Sequence, residues 1–104
     1  GLIPIRPLQT RRDLLTIYRI GLMKLLKLPQ VLGLTAKSRS THYHEIKIGL
    51  MTPPVRLGEQ SVAWVESEIL AINAARISGQ SDEQIKQLVK KLVSDRKELC
   101  GAAA

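Results

Sequence analysis

The sequence predicts a mainly α-helical domain with a small β-hairpin, and three observations support this fold class. Apolar residues recur at helical spacing in the second half of the chain, most regularly between residues 85 and 99. Prolines and a short alternating stretch interrupt this pattern between residues 53 and 65, which favours a hairpin there. The chain has 104 residues, which is enough for one domain and too short for two ordinary ones.

Two short helices are expected near the start of the domain. Lys24–Lys27 is typical of a short strand or of an extended segment, and the residues leave both open. Pro29 suits a first helical turn, because the N–H that proline lacks would be unpaired there anyway. Ser38 can cap a second helix with its side-chain oxygen, and Gly49 can end it in the left-handed conformation. Two short helices joined by about three residues, the first ending near Leu34, are typical of a helix-turn-helix.

A β-hairpin is predicted next. The prolines at 53–54 exclude a helix, residues 55–57 alternate in polarity, 58–60 supply a turn and 61–64 resume the strand. Trp64 lies where this hairpin gives way to the following helix. We expect it to be a core anchor between the hairpin and the helices rather than a residue that stacks on bases.

Two further helices complete the predicted fold. The first runs from about residue 65 to 77 and is broken by Gly79. Ser81 and Gln84 form a capping box, in which each side chain satisfies a free backbone N–H of the other residue, so the second helix begins there. Its apolar face consists of Ile85, Leu88, Val89, Leu92, Val93 and Leu99.

The domain itself is expected to span residues 23–98. Prolines break the segment 1–22, and Met23 resembles a natural beginning, so this segment is predicted to be an N-terminal extension. The sequence leaves open whether the extension is native and partly disordered or a remnant added to the chain. Residues 99–104 are predicted to form a frayed tail.

The positive charge is confined to the first part of the chain. The formal net charge is +7, and residues 1–60 hold ten basic and three acidic residues, whereas residues 61–104 hold six of each. A basic half on a small domain suggests a polyanionic partner, most often nucleic acid. A merely solubilising surface is an equally good interpretation of charge alone.

Several other classes are disfavoured by the sequence. The single cysteine, Cys100, cannot form an internal disulfide, and no apolar run approaches the ~18 residues of a membrane span, so a cytoplasmic protein with no membrane contact is expected. His42 and His44 are two positions apart and would not share a helix face, which disfavours a metal site. No catalytic constellation emerges, so we expect no enzyme activity and no cofactor.

The order and spacing of five segments resemble the AlpA family of prophage regulators, along an ungapped stretch of about residues 23–98. The resemblance implies a winged helix-turn-helix, similar to phage excisionases and to the DNA-binding domain of MerR regulators, with an added C-terminal helix. It also implies a transcriptional regulator or recombination directionality factor that binds and bends double-stranded DNA, self-associates on adjacent sites and works with an integrase. The segments are Leu25–Val31, Ser38–Tyr43, Ile46–Gly49, Pro54–Gly58 and Val62–Ile69.

The resemblance places the DNA-binding residues on the second helix and on the wing. A helix in the major groove reads bases near its N-terminus, where Arg39 can bond guanine with two parallel hydrogen bonds. Ser38 serves equally well as a plain helix cap, and Tyr43 either packs inward or reaches a phosphate. A solvated surface charge is the less favoured alternative for Arg39. The predicted contacts are Ser38, Arg39, Ser40, Thr41, Tyr43, His44 and Lys47 on the helix, with Arg56 and Gln60 on the wing.

The chain departs from the family pattern at five positions. Ala36 replaces a usual glycine, Lys37, His42 and Glu45 replace usual apolar residues, and Gln60 replaces a usual basic residue. As an explanation for two of these, we expect His42 and Glu45 to pair with each other. The departures at Ala36, Lys37, His42 and Glu45 favour an alternative function, a protein-interaction module that docks onto an integrase or regulator without DNA readout. RNA binding is disfavoured, because the chain lacks aromatic platforms for unpaired bases.

Overall fold

The computed structural model describes residues 24–103, so the predicted extension 1–22 lies outside the described residues. Four helices and three short strands confirm the mainly α-helical class. None of the described helices combines the length and apolar character that a membrane span requires. In chain order the elements are β1 Leu25–Leu26, α1 Leu28–Thr35, α2 Arg39–Ile48, β2 Val55–Arg56, β3 Val62–Val65, α3 Glu66–Ile77 and α4 Asp82–Ala103. The fraying predicted for 99–104 stays a prediction.

Helices α1 and α2 form the expected pair, separated by three residues. Pro29 lies in the first turn of α1, and the backbone N–H of Lys27 donates to Oε1 of Gln30 at 2.9 Å. α1 ends at Ala36, which adopts the left-handed conformation with φ of 57° and donates its N–H to the carbonyl of Leu32. The chain therefore uses alanine where the left-handed backbone favours glycine.

The three strands form one antiparallel sheet in the order β1-β3-β2. The predicted hairpin is confirmed as β2 and β3, with Val55 opposite Ala63. The sheet also contains β1, which pairs with the other edge of β3 and places Leu26 opposite Trp64. The segment Lys24–Lys27 thus contains a paired strand, Leu25–Leu26, whose partner lies nearly 40 residues further along the chain.

Trp64 occupies the centre of the core, as predicted. Its side chain is fully buried, and the indole N–H donates to the backbone carbonyl of Thr52 at 3.1 Å. On α4 the predicted apolar face packs inward through Ile85 and Val89. On α3, Ile69 and Ile72 are buried, whereas Ile77 is 86% exposed. The buried cluster comprises Leu26, Val31, Leu50, Met51, Trp64, Ile69, Ile72, Ala75, Ile85 and Val89.

A buried ion pair joins α4 to α3 and to the segment that precedes the hairpin. The Glu68 side chain is only 3% exposed, and Arg96 donates to both of its oxygens at 2.7 Å. The same guanidinium also donates to the carbonyl of Pro53 at 2.7 Å. Because a guanidinium matches a carboxylate in this forked geometry, the contact fixes both orientation and distance.

Arg96→Met removes the charge and keeps much of the aliphatic side chain. We expect the free energy of unfolding to fall by about 3–5 kcal/mol, because the Glu68 carboxylate would stay buried without its cation. Urea denaturation measures the change. Glu83→Gln is the control, since Glu83 is 81% exposed and pairs with Lys86 on the same helix, and it should cost less than about 0.5 kcal/mol. Equal losses in the two variants would contradict this account.

Ala36→Gly should raise the free energy of unfolding by about 1 kcal/mol, because glycine adopts the left-handed conformation without the steric penalty of a Cβ. Ala74→Gly provides the opposite case, since Ala74 is exposed inside α3. There glycine should destabilise by roughly 0.5–1 kcal/mol. Thermal and urea unfolding of both variants would test the prediction. If Ala36→Gly did not stabilise the protein, the prediction would be wrong.

Candidate nucleic-acid interface

The first turn of α2 is open to solvent and lacks acidic residues. Ser38 caps the helix as predicted, since its Oγ accepts the backbone N–H of Thr41 at 3.2 Å. The Ser38 hydroxyl also donates to Oγ1 of Thr41 at 3.0 Å. Helix N-termini present unsatisfied N–H groups and a partial positive charge, which attract phosphate. The predicted residues Ser38, Arg39, Ser40 and Thr41 are all exposed in this turn.

One side of α2 carries three of the predicted polar contacts. Ser40, His44 and Lys47 are exposed and follow the helical spacing of i, i+4 and i+7. The opposite side faces the domain through the buried His42 and the partly buried Ile46. The structure thus brings Ser40, His44 and Lys47 onto one outward face, next to the exposed first turn.

Tyr43 lies at the border of that face, between the inward and the outward orientation that the sequence left open. Tyr43 is 39% exposed, while its ring meets the rings of His42 and Trp64 edge-on at centroid distances of 5.5 and 6.3 Å. The guanidinium carbon of Arg39 lies 5.9 Å from the Tyr43 ring centroid, within cation–π range. Tyr43 therefore packs against the core edge and supports Arg39 above its ring.

The two remaining predicted residues lie on the hairpin. Arg56 and Gln60 are exposed, and Arg56 donates to the carbonyl of Glu59 across the turn at 3.4 Å. Lys27 also reaches this hairpin, where its ammonium group donates to Oγ of Ser61 at 2.6 Å. The sequence did not predict this basic residue beside the hairpin. Because Lys27 directly follows β1, its place beside the hairpin could be predicted only if the pairing of β1 with β3 were known.

The inner side of α2 is anchored by His42, which is fully buried. Its ring meets Trp64 of β3 edge-on with centroids 4.8 Å apart, so α2 is packed directly on the central strand. Neither ring nitrogen has a hydrogen-bond partner among the described residues. Burial lowers the pKa of His42, the nearby Lys37 lowers it further, and Glu45 offsets part of the effect. The imidazole is therefore held neutral at pH 7.

The expected pairing of His42 with Glu45 is wrong. Glu45 is engaged elsewhere, since one carboxylate oxygen contacts Nζ of Lys37 and the other lies 3.4 Å from the Arg76 guanidinium. Arg76 continues the chain of charges to Asp82 at 3.8 Å. Two departures from the family pattern, Lys37 and Glu45, thus compensate each other. Sequence spacing gave no signal for this pair, because the turn conformation decides where the Lys37 side chain points.

The buried imidazole makes stability depend on pH. The unfolded chain takes up a proton near pH 6.5, whereas folded His42 resists it, so the unfolded state binds more protons below that pH. The free energy of unfolding should therefore decrease between pH 7.5 and 5.5, by up to about 1.4 kcal/mol per pH unit. His42→Leu should flatten this dependence in urea titrations, and His44→Gln, on the exposed side, should not. An unchanged slope in His42→Leu would exclude His42 as the cause.

Comparison with known proteins adds an independent observation. The profile of the prophage CP4-57 regulatory protein (AlpA) family matches residues 24–71. The uncharacterized protein ORF88 of Enterobacteria phage P4 is 39% identical over 77 residues, which cover 74% of this chain and 81% of that protein. No solved structure matches the chain. The family resemblance is confirmed: the chain belongs to the AlpA family of prophage regulatory proteins, and this membership implies a DNA-binding regulator of phage origin.

Proposed function

We propose that the protein binds double-stranded DNA sequence-specifically, with α2 in the major groove and the β2–β3 hairpin as a wing. One observation carries the proposal. The outward side of α2 presents only neutral and basic residues, because the helix's single acid, Glu45, is turned inward and paired. A phosphate-lined groove can therefore approach this side without meeting a carboxylate.

Each predicted residue has a role that its chemistry suits. Arg39 reads guanine in the major groove, and Tyr43 beneath it restricts the guanidinium before binding. Hydroxyl, imidazole and ammonium groups hold phosphates and set the register of the helix. On the wing, Arg56 enters the minor groove, where negative potential attracts arginine, and Gln60 assists it. The phosphate-binding residues are Ser38, Ser40, Thr41, His44 and Lys47.

In biological terms, the protein acts as a transcriptional regulator, as a recombination directionality factor (an excisionase), or as both, encoded by a prophage or integrative element. Such a protein bends its DNA and assembles on adjacent sites, with an integrase or a second copy of this chain as protein partner. Leu70 and Ile77 support the assembly, because they lie two turns apart on the same face of α3 and are 48% and 86% exposed. Apolar side chains exposed together favour protein contacts.

The alternative, an interaction module without DNA readout, drew its support from the departures on and around α2. Those residues now have structural explanations. Ala36 closes α1, Lys37 and Glu45 neutralise each other, and His42 fills the core beside Trp64. None of them occupies the outward side of α2. The departures therefore no longer favour loss of DNA binding.

Fluorescence anisotropy tests the proposal with duplex DNA from upstream of the gene and from the ends of the host element. We expect preferential binding to one of these duplexes over random duplex, weakening steeply between low and moderate salt. Arg39→Ala should reduce affinity for the preferred duplex by about 1–3 kcal/mol and relax discrimination. Lys47→Ala should weaken binding to every duplex and reduce the slope of log K against log salt by about 1.

Lys91→Ala is the matched control, since Lys91 is an exposed lysine on α4, outside the proposed interface. It should change neither the preference nor the salt slope by a comparable amount. Absence of binding by the wild-type protein even at low salt would overturn the DNA hypothesis. The search would then turn to an integrase or another protein partner.

A further inference from the structure

We propose that Glu45 restrains Lys37 and thereby limits non-specific binding to DNA. The inference rests on the proposed function and adds to the same site a residue that sets the salt dependence of binding. It concerns a group that makes no contact with DNA itself. Glu45 acts through Lys37, so it is a positioning residue.

Lys37 lies at the N-terminal end of α2. It directly precedes Ser38, the cap of α2, and so lies at the same end of the helix as Arg39. A lysine at this point has a long flexible side chain that can reach the phosphates attracted to the helix N-terminus. Yet the Lys37 side chain is only 15% exposed, because its ammonium group is bound to Glu45. The cation is present at the interface end but is turned inward.

The geometry of Glu45 gives the second step. Its side chain is 13% exposed, with one oxygen on Lys37 and the other 3.4 Å from Arg76. The carboxylate is thus held from two sides, by the turn before α2 and by α3. A side chain fixed in this way retains Lys37 more firmly than a mobile surface carboxylate would, because no further rotamer entropy is lost on pairing. Asp82 also contacts Arg76, so Arg76 keeps an acidic neighbour if Glu45 is neutralised.

The consequence for recognition follows from how charge contributes to DNA binding. A lysine on a phosphate strengthens binding to every sequence alike, because phosphates carry no sequence information. A lysine that is withdrawn lowers this background and leaves base contacts unchanged. Withdrawing Lys37 therefore lowers affinity for every duplex by the same factor, and Glu45 in this way sets the overall strength and the salt dependence of binding.

Glu45→Gln is the direct test, with random duplex DNA as the probe. We expect the slope of log K against log salt to become steeper by about 0.9, as one further phosphate is neutralised. At 0.1 M salt this corresponds to binding of random duplex that is up to about eight-fold tighter. The double variant Lys37→Met, Glu45→Gln should return both quantities to the wild-type values, which a purely structural role of Glu45 would not produce.

Two controls separate this effect from general changes in charge and folding. Glu83→Gln removes the same charge from an exposed site on α4 and should leave the slope unchanged. Circular dichroism establishes that each variant is folded. If Glu45→Gln does not fold, the single variants Lys37→Met and Lys47→Ala decide. Lys37→Met should keep the wild-type slope, whereas Lys47→Ala should lose about 0.9 of it.

The outcomes distinguish this inference from the proposed function. Wild-type binding combined with an unchanged slope in Glu45→Gln would overturn the inference alone. A slope that falls in Lys37→Met as far as in Lys47→Ala would also overturn it, because Lys37 would then already touch phosphate. If neither the wild-type protein nor any variant binds duplex DNA at low salt, both the inference and the proposed function fail.

Discussion

The arrangement of this domain depends on the burial of Trp64. Its indole lies in the central strand, opposite Leu26 of β1, bonded to the carbonyl of Thr52 and in edge contact with His42 of α2. One side chain thus fixes the positions of the sheet, of the segment before the hairpin and of the inner side of α2 relative to each other. Burial of so large a side chain contributes several kcal/mol. The packing of His42 against Trp64 consequently determines which residues of α2 are exposed.

Much of the fold could be predicted because its signals are local. The proline in α1, the Ser38 cap, the closing Gly49 and the capping box of Ser81 each act within a few residues. The pairing of β1 with β3 could not be predicted. A strand of two residues shows no alternation of polarity, and its partner is remote in sequence. The candidate site divides in the same way. The family resemblance predicted which residues of α2 lie outward, whereas the partners of Glu45 depended on the turn and on α3.

The polar residues that depart from the family pattern show how one helix can carry two different chemistries. On the inner side, His42 replaces an apolar residue in a close-packed space, and Glu45 is acceptable there because two cations meet it. The outer side is left without acidic groups. The pair also links a residue before α2 to one within it. Grafting α2 alone onto a related scaffold would separate Lys37 from Glu45, so both residues would have to be transferred.

The fork between Arg96 and Glu68 has a consequence for what counts as the autonomous folding unit. The family profile ends at residue 71, yet the cation that neutralises Glu68 lies at 96, on a helix outside the matched region. A fragment cut at the profile boundary would bury a carboxylate with no counter-ion and would lose Ile85 and Val89 from the core. The unit of homology is therefore shorter than the unit of stability. Minimal versions of this domain must include α4 at least as far as Arg96.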